Sequence, residues 1–171
     1  MMKKRDVAWV LVSLGFLALM LPSCREKITY PIIPHIEFED FTMLFGADST
    51  IEKGVLTLSF TDGDGDLGEK SVDGTNLPPP PFNLFIDYFE LQEGVWKQLV
   101  NAEGDTLVFH GTLPYLTPQG KNKNISGLIE DTLFINPQHD HDTFRYEIYI
   151  RDRALHESNT VVTPIFVKPR L

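Results

Sequence analysis

Short stretches in which apolar and polar residues alternate follow one another through most of this chain. Such alternation over four to eight residues is typical of a β-strand that buries one face. It is strict in residues 55–60, where Leu56, Leu58 and Phe60 share a face, and in residues 144–151. Six further stretches with strand character cover residues 36–39, 84–91, 95–99, 106–110, 125–135 (with a candidate break at Glu130-Asp131) and 160–167.

This pattern favours a single all-β domain. After residue 24, no window of ten residues carries an apolar stripe at helical spacing. Seven to nine short strands separated by turn residues predict an antiparallel β-sandwich, with an up-and-down barrel as the alternative. Because Glu93-Gly94 separates two of the stretches, residues 84–91 and 95–99 are predicted to form a hairpin.

The first 24 residues follow a different pattern. Three basic residues at positions 3–5 precede an uncharged, mostly apolar run from residue 7 to residue 21. A helix over this run spans roughly 22 Å, which is short of the ~30 Å hydrocarbon core of a bilayer. A basic segment followed by a short apolar segment and small residues predicts a secretory signal rather than a permanent membrane span.

The signal ends in Leu21-Pro22-Ser23-Cys24, which resembles the lipobox of bacterial lipoproteins. The resemblance implies that Cys24 carries the lipid and becomes the first residue of the mature protein. We therefore expect a signal peptide at residues 1–23, a lipidated cysteine and tether at residues 24–34, and a domain at residues 35–171. Two prolines within the tether favour an extended backbone. An ordinary secreted protein with an incidental cysteine is the alternative.

The net charge limits the classes of binding partner, and the single cysteine limits the cross-links and metal sites that the domain can form. The full chain carries a formal net charge of −9, and removing residues 1–24, with three basic residues and one acidic residue, leaves −11. Such a chain repels nucleic acid and anionic lipid headgroups, and it attracts divalent cations or basic protein surfaces. Since Cys24 is the only cysteine, the domain can form neither a disulfide nor a thiolate metal site.

The densest chemical signal is an acidic glycine loop at residues 60–68. Asp62, Asp64 and Asp66 alternate there with glycines, directly after a predicted strand. Three like charges at this spacing repel one another unless something neutralises them. Carboxylate oxygens at this density suit Ca²⁺, which takes six to eight hard oxygen ligands. The alternative, which the sequence leaves equally open, is a solvated acidic turn without an ion.

The beginning of this loop is similar to the Asp-x-Asp-x-Asp start of a helix-flanked calcium loop. The similarity stops there, because Leu67 occupies the sixth position, where that loop needs glycine, and Asp73 replaces the bidentate glutamate at the twelfth. Helical patterns are also missing from the flanking sequence. A calcium site here therefore needs ligands from elsewhere in the fold, and Asp152, which follows the predicted strand 144–151, is the predicted additional ligand.

Residues 60–68, together with residues 146–154 and Glu157-Ser158-Asn159, resemble small envelope lipoproteins of Bacteroidota-type bacteria. The second segment is also similar to the last hairpin of bacterial immunoglobulin-like extracellular domains. Where those domains commonly have a glycine, this chain has His156-Glu157. The resemblance implies an immunoglobulin-like sandwich, held by its lipid at a bacterial outer membrane and facing either the periplasm or the cell surface.

These observations together predict a non-enzymatic outer-membrane lipoprotein whose domain carries a calcium-compatible loop. We expect it to act as an accessory or binding component of an envelope protein complex, with no nucleic-acid partner. The alternative is a glycan-binding module at the cell surface, in which Tyr88 and Trp96, on the two strands of the predicted hairpin, stack on a sugar ring.

Overall fold

The computed structural model describes residues 28–47, 51–70, 81–100, 104–135 and 141–169, which form eight antiparallel strands in two sheets. The strands are β1 (His35–Phe45), β2 (Ile51–Asp62), β3 (Leu84–Gln92), β4 (Val95–Gln98), β5 (Ile125–Phe134), β6 (Thr143–Ile150), β7 (Val161–Val162) and β8 (Phe166–Val167). Since these residues contain no helix, none of them forms a helical membrane span. The predicted signal peptide and Cys24 lie outside the described residues.

The two sheets divide the strands unequally. A three-stranded sheet has the order β1-β2-β5, and a five-stranded sheet has the order β4-β3-β6-β7, with β8 also paired to β6. The chain therefore passes from the first sheet to the second after β2 and again after β5. The prediction of an all-β antiparallel sandwich of seven to nine strands is confirmed, while its immunoglobulin-like identity stays a prediction.

The hairpin between β3 and β4 forms as the sequence predicts. Leu91 pairs with Trp96 and Gln92 with Val95, which leaves Glu93-Gly94 as a two-residue turn. Both turn residues have a positive φ, 53° at Glu93 and 80° at Gly94. This is the geometry of a type I′ turn, whose twist matches that of the two strands it joins.

The core lies between the sheets and is built from the alternating positions of the long strands. Every second residue of β2, β3 and β6 is buried from Leu56 to Phe60, from Leu84 to Tyr88 and from Phe144 to Ile150. The strands that pair with β2 add further buried apolar residues: Ile36 and Phe41 from β1, and Ile129 and Leu133 from β5. The buried apolar side chains include Ile36, Phe41, Leu56, Leu58, Phe60, Leu84, Ile86, Tyr88, Ile129, Leu133, Phe144, Tyr146, Ile148 and Ile150.

Three details of the predicted strands were wrong. Residues 106–110 make only isolated bridges, at Thr106 and Val108, instead of a continuous ladder. Residues 160–167 are divided into β7 and β8, since Pro164 lies between them and has no N–H to donate. The candidate break at Glu130-Asp131 is not a break, because both residues pair with β2 within an unbroken β5.

A buried ion pair joins the segment after β8 to β3 in the five-stranded sheet. Nζ of Lys168, next to β8, lies 3.2 Å from Oε1 of Glu90 at the end of β3, and both side chains are almost fully buried. The hydroxyl of Tyr88 donates a second hydrogen bond to the same oxygen at 2.9 Å. Burial lowers the pKa of Lys168, and the Glu90 carboxylate opposes that shift. The pair attaches the end of the chain to β3.

Two leucines on paired strands of the first sheet test the assignment of inner and outer faces. Leu58 of β2 is fully buried, whereas Leu128 of β5 is 64% exposed. We expect Leu58→Ala to lower the free energy of unfolding by about 2–5 kcal/mol, because it leaves a cavity in the core. Leu128→Ala is expected to change it by about 0.5 kcal/mol or less. Urea denaturation compares the two, and equal losses would contradict the assigned faces.

Candidate metal centre

The three aspartates of the acidic loop meet at the end of β2. Asp62 is the last residue of that strand and is fully buried, whereas Asp64 and Asp66 are half-buried in the turn that follows. One carboxylate oxygen from each of the three lies within 4.8 Å of the others. Ligands on opposite sides of a Ca²⁺ ion are about 4.6–5.2 Å apart, since each Ca–O distance is 2.3–2.6 Å. The spacing therefore fits one calcium ion.

The hydrogen bonding of these carboxylates leaves one side of the cluster without partners. Oδ2 of Asp62 accepts a hydrogen bond from the backbone N–H of Asp66 at 3.1 Å. Oδ1 of Asp62, Asp64 and Asp66 is in each case shielded from solvent and has no hydrogen-bond partner. Shielded carboxylate oxygens without partners are costly, and a bound cation is one way in which proteins satisfy them.

Burial and mutual repulsion change the acidity of the cluster. The pKa of Asp62 rises from its ordinary value of 3.8 to about 6, chiefly because the side chain is buried and further because Asp64 and Asp66 lie close by. The pKa of Asp66 is also raised, first by burial and then by the charges of Asp152 and Asp64, while Arg153 opposes the shift. Both shifts show that negative charge is unfavourable here without a counter-charge.

Glycines allow other segments to approach the loop closely. A Cβ atom on Gly63 would overlap the carbonyl oxygens of Tyr30 and Pro31, and one on Gly65 would overlap the carbonyl oxygen of Lys123. Gly65 also has a φ of 66°, in the left-handed region that side chains disfavour. Two other backbone segments therefore pack against the glycines of the loop, with carbonyl oxygens at both contacts.

Arg153 is a cation at this site that the sequence pattern did not predict. Its guanidinium donates to the carbonyl oxygens of Leu67 and Gly68 at 2.7 and 2.8 Å and to Oγ1 of Thr117 at 2.6 Å. Its backbone N–H donates to the carbonyl of Asp66 at 3.2 Å. The only hint in the sequence was its position directly after Asp152. Arg153 thus attaches the acidic loop to the turn after β6.

Asp152, the predicted additional ligand, lies beside the cluster but serves another partner. Its side chain is buried, and Oδ1 accepts the backbone N–H of His156 at 2.8 Å. Its Oδ2 lies 2.8 Å from Nδ1 of the same histidine, which raises the pKa of His156. The cluster that the structure brings together is Asp62, Asp64 and Asp66, and Asp152 contributes negative charge next to Asp66. Its role as a direct ligand stays a prediction.

The turn after β6 is held by its own serine and asparagine. Ser158 and Ile150 exchange hydrogen bonds, with Oγ of Ser158 accepting from the N–H of Ile150 at 3.0 Å. The side chain of Asn159 both donates to and accepts from the backbone of Ile36, which joins this turn to β1. Leu155 takes the positive φ of 70° that a glycine would favour. The part of residues 146–159 that follows β6 is therefore a hydrogen-bonded turn beside the acidic loop.

The two aromatic residues considered for sugar stacking are not available as a pair. Tyr88 faces the core and is 1% exposed. Trp96 is half-buried, and the guanidinium of Arg145 lies 4.5 Å from the centre of its ring. One face of the indole is therefore already covered.

A shallow cavity of about 200 Å³ is lined by Leu44, Phe45, Gly46, Glu52 and Lys53. These residues belong to the hairpin end of β1 and β2, whereas the acidic loop follows the other end of β2. The cavity and the aspartate cluster are therefore separate features.

Comparisons with family models, with curated proteins and with solved structures found no significant match to this chain.

The raised pKa of Asp62 predicts a specific dependence of stability on pH. Between pH 3.8 and about 6 the folded protein binds a proton at Asp62 that the unfolded chain has released. Through this group, the free energy of unfolding falls as the pH rises across that window. In chelator near neutral pH, we expect Asp62→Asn to raise the free energy of unfolding by about 1–3 kcal/mol. The amide removes the charge and keeps an acceptor for the Asp66 N–H.

Urea denaturation across this pH range measures the effect, with Asp40→Asn as the control. Asp40 is an exposed carboxylate on β1, so its replacement should leave the pH dependence in place. A less stable Asp62→Asn protein in chelator near neutral pH would show that the Asp62 charge is not unfavourable.

Proposed function

We propose that this chain is a non-enzymatic, lipid-anchored protein of a bacterial outer membrane whose β-sandwich binds a structural Ca²⁺. We further propose that it acts as an accessory or binding component of an envelope protein complex. The observation that carries the calcium proposal is the cluster of three carboxylates with shielded, unpartnered oxygens within 4.8 Å of one another. Asp62, Asp64 and Asp66 would hold the ion.

Calcium suits this cluster better than a transition metal. The three donors are carboxylate oxygens, and the backbone carbonyls that approach Gly63 and Gly65 are also hard oxygen donors. Transition metals favour imidazole and thiolate ligands, and the only cysteine of the chain is Cys24. When bound, the ion supplies positive charge that neutralises the three aspartates. It would thereby stabilise the loop at the end of β2.

A structural rather than catalytic role is supported by what the buried polar groups contact. Both carboxylate oxygens of Asp152 contact His156, and the carboxylate of Glu90 contacts Lys168 and Tyr88. These groups serve ion pairs and hydrogen bonds that join one strand or turn to another. Such contacts hold the sandwich together, and they leave these groups satisfied without a substrate.

The strand order supports the immunoglobulin-like assignment. The first, second and fifth strands form one sheet, and the third, fourth, sixth and seventh strands form the other. Constant-type immunoglobulin domains place strands A, B, E and D in one sheet and C, F and G in the other. The first, second and fifth strands and the third, sixth and seventh strands follow this division, whereas the fourth strand lies in the opposite sheet. The chain differs from antibody domains in lacking the cysteines of the disulfide between the sheets. The assignment therefore rests on topology and on the resemblance of residues 146–159.

The outer face of the five-stranded sheet supports a role in binding another protein. Phe85 and Tyr149 stack there with ring centres 4.5 Å apart, and Arg151 lies 4.8 Å over the ring of Phe85. Further along the sheet, Arg145 covers Trp96. Aromatic and arginine side chains are enriched in protein interfaces. The alternative of glycan binding has less support, because one face of the Trp96 ring is already occupied.

The lipid anchor and the membrane location are supported by the lipobox-like sequence at residues 21–24. Two or more acyl chains at Cys24 would hold the domain firmly, since each buried CH₂ contributes roughly 0.8 kcal/mol. The net charge of −11 after residue 24 argues against direct contact between the domain and anionic headgroups. The anchor and not the surface of the domain would therefore keep the protein at the membrane.

Calcium should stabilise the purified protein against heat. A ligand at about 100 times its dissociation constant adds ~2.7 kcal/mol to the free energy of unfolding, so we expect a rise of several degrees in the melting temperature. Asp64→Ala should remove this rise, because it deletes one of the three carboxylates. Asp40→Ala, which removes an exposed carboxylate from β1, should keep it. Identical melting curves in calcium and in chelator would refute the calcium proposal.

Protein recovered from detergent-solubilised bacterial envelopes should carry a lipid at Cys24 and begin at that residue. Mass spectrometry of the intact protein measures both features. A second protein should copurify at a fixed ratio. Cys24→Ala should retain the leader and lose the lipid, whereas Ser23→Ala should behave as the parent, because alanine is also a small residue before the cysteine. An unmodified thiol on a chain that retains its leader, or recovery without a stoichiometric partner, would count against the proposed function.

A further inference from the structure

The segment of residues 28–34, here termed the strap, lies across the acidic loop. It belongs to the predicted tether, and the carbonyl oxygens of Tyr30 and Pro31 lie so close to Gly63 that a Cβ atom there would overlap them. Gly63 is the residue directly after Asp62 and before Asp64. The strap therefore contacts the backbone of the proposed metal loop itself.

The side chain of Asn124 also holds the strap. Nδ2 of Asn124 donates to the carbonyl of Ile28 at 3.0 Å, and its Oδ1 accepts from the N–H of Tyr30 at 3.0 Å. The neighbouring residue, Lys123, places its carbonyl oxygen against Gly65 of the acidic loop. The strap, the segment around Asn124 and the acidic loop thus meet at one place.

Apolar burial in the strap is concentrated at Pro34, which is buried, and at Tyr30, which is half-buried. The three isoleucines of the strap, Ile28, Ile32 and Ile33, are 63%, 55% and 52% exposed. Residues 28–33 are held chiefly by the pair of hydrogen bonds to Asn124, each worth about 1 kcal/mol, and by the fit of the strap against Gly63. Because the strap packs directly against Gly63, the position of residues 28–33 depends on the shape of the acidic loop.

The shape of that loop in turn depends on charge. Without a cation, Asp62, Asp64 and Asp66 repel one another, and the Oδ1 atom of the fully buried Asp62 has no partner. With a cation, the three carboxylates are drawn together. The Tyr30 and Pro31 carbonyls pack against the loop between Asp62 and Asp64, so a change in the shape of the loop changes the surface on which the strap lies.

From this contact, we propose that a divalent cation in the acidic loop fastens the strap to the sandwich and so sets the distance between the domain and its membrane anchor. The inference rests on the proposed function, since it requires both the cation and the lipid at Cys24. With the strap fastened, four residue steps from Cys24 to Ile28 give a reach of about 14 Å. With the strap released, eleven steps to His35 give about 38 Å. The cation concentration would thus control how far from the bilayer the domain can reach its partner.

Hydrogen exchange of the full protein in detergent, followed by mass spectrometry, tests this inference. We expect calcium to slow amide exchange in the strap roughly tenfold relative to chelator. Asn124→Ala should exchange rapidly in the strap with or without calcium, because it removes both hydrogen bonds. Asn122→Ala is the matched control and should keep the calcium effect, because this neighbouring asparagine bonds to Asn124 and not to the strap.

A second variant separates the strap from the metal loop. Gly63→Ala places a methyl group where the strap carbonyls lie and leaves the three aspartates in the chain. We expect fast strap exchange together with a calcium-induced rise in melting temperature, which would show that the ion still binds when the strap is displaced.

The outcomes distinguish this inference from the proposed function. A calcium-induced rise in melting temperature together with slower strap exchange supports both. The same rise with unchanged strap exchange overturns the inference and leaves the calcium proposal standing, as does a strap that is already fully protected in chelator. No effect of calcium on either measurement overturns both.

Discussion

The repulsion among three carboxylates held close together at the buried end of β2 is the constraint on which the rest of this site depends. Asp62 cannot move away from the cluster, because it is the last residue of a strand that is paired on both sides. Its charge therefore has to be neutralised where it lies, by a proton or by a bound cation. Gly63 and Gly65 have no side chain, which lets the carbonyl oxygens of other segments pack directly against the loop.

The acidic loop lies where the two sheets of the sandwich are joined by hydrogen bonds. The acidic loop follows β2 of the three-stranded sheet, and the turn that carries Asp152 and Arg153 follows β6 of the five-stranded sheet. Hydrogen bonds from Arg153 join the two at one end of the molecule. The link between the two sheets at this end is therefore the guanidinium of Arg153 and not a disulfide.

The strands that could be predicted are those whose inner and outer positions alternate without interruption, such as β2 and β6. The predicted strands were wrong where hydrogen-bond pairing with a neighbouring strand, and not the alternation of apolar and polar residues, decides the structure. Residues 106–110 have a strand-like pattern but make only isolated bridges, while β1 extends to Phe45 through a bulge between Phe38 and Asp40. In the site, the three aspartates were predicted as a group because they are neighbours in sequence. Arg153 and the strap were not, because they reach the loop from distant parts of the chain.

The sequence by itself determined the class of the fold, the face that each long strand buries, and the concentration of negative charge in one glycine-rich turn. These features are local, since a period of two and a run of alternating aspartates act over a few residues. Only the tertiary structure decided which oxygens lost their partners, that Asp152 contacts His156, and that residues 28–34 cross the acidic loop. Those facts depend on contacts between residues far apart in the chain, and no local pattern encodes such distances.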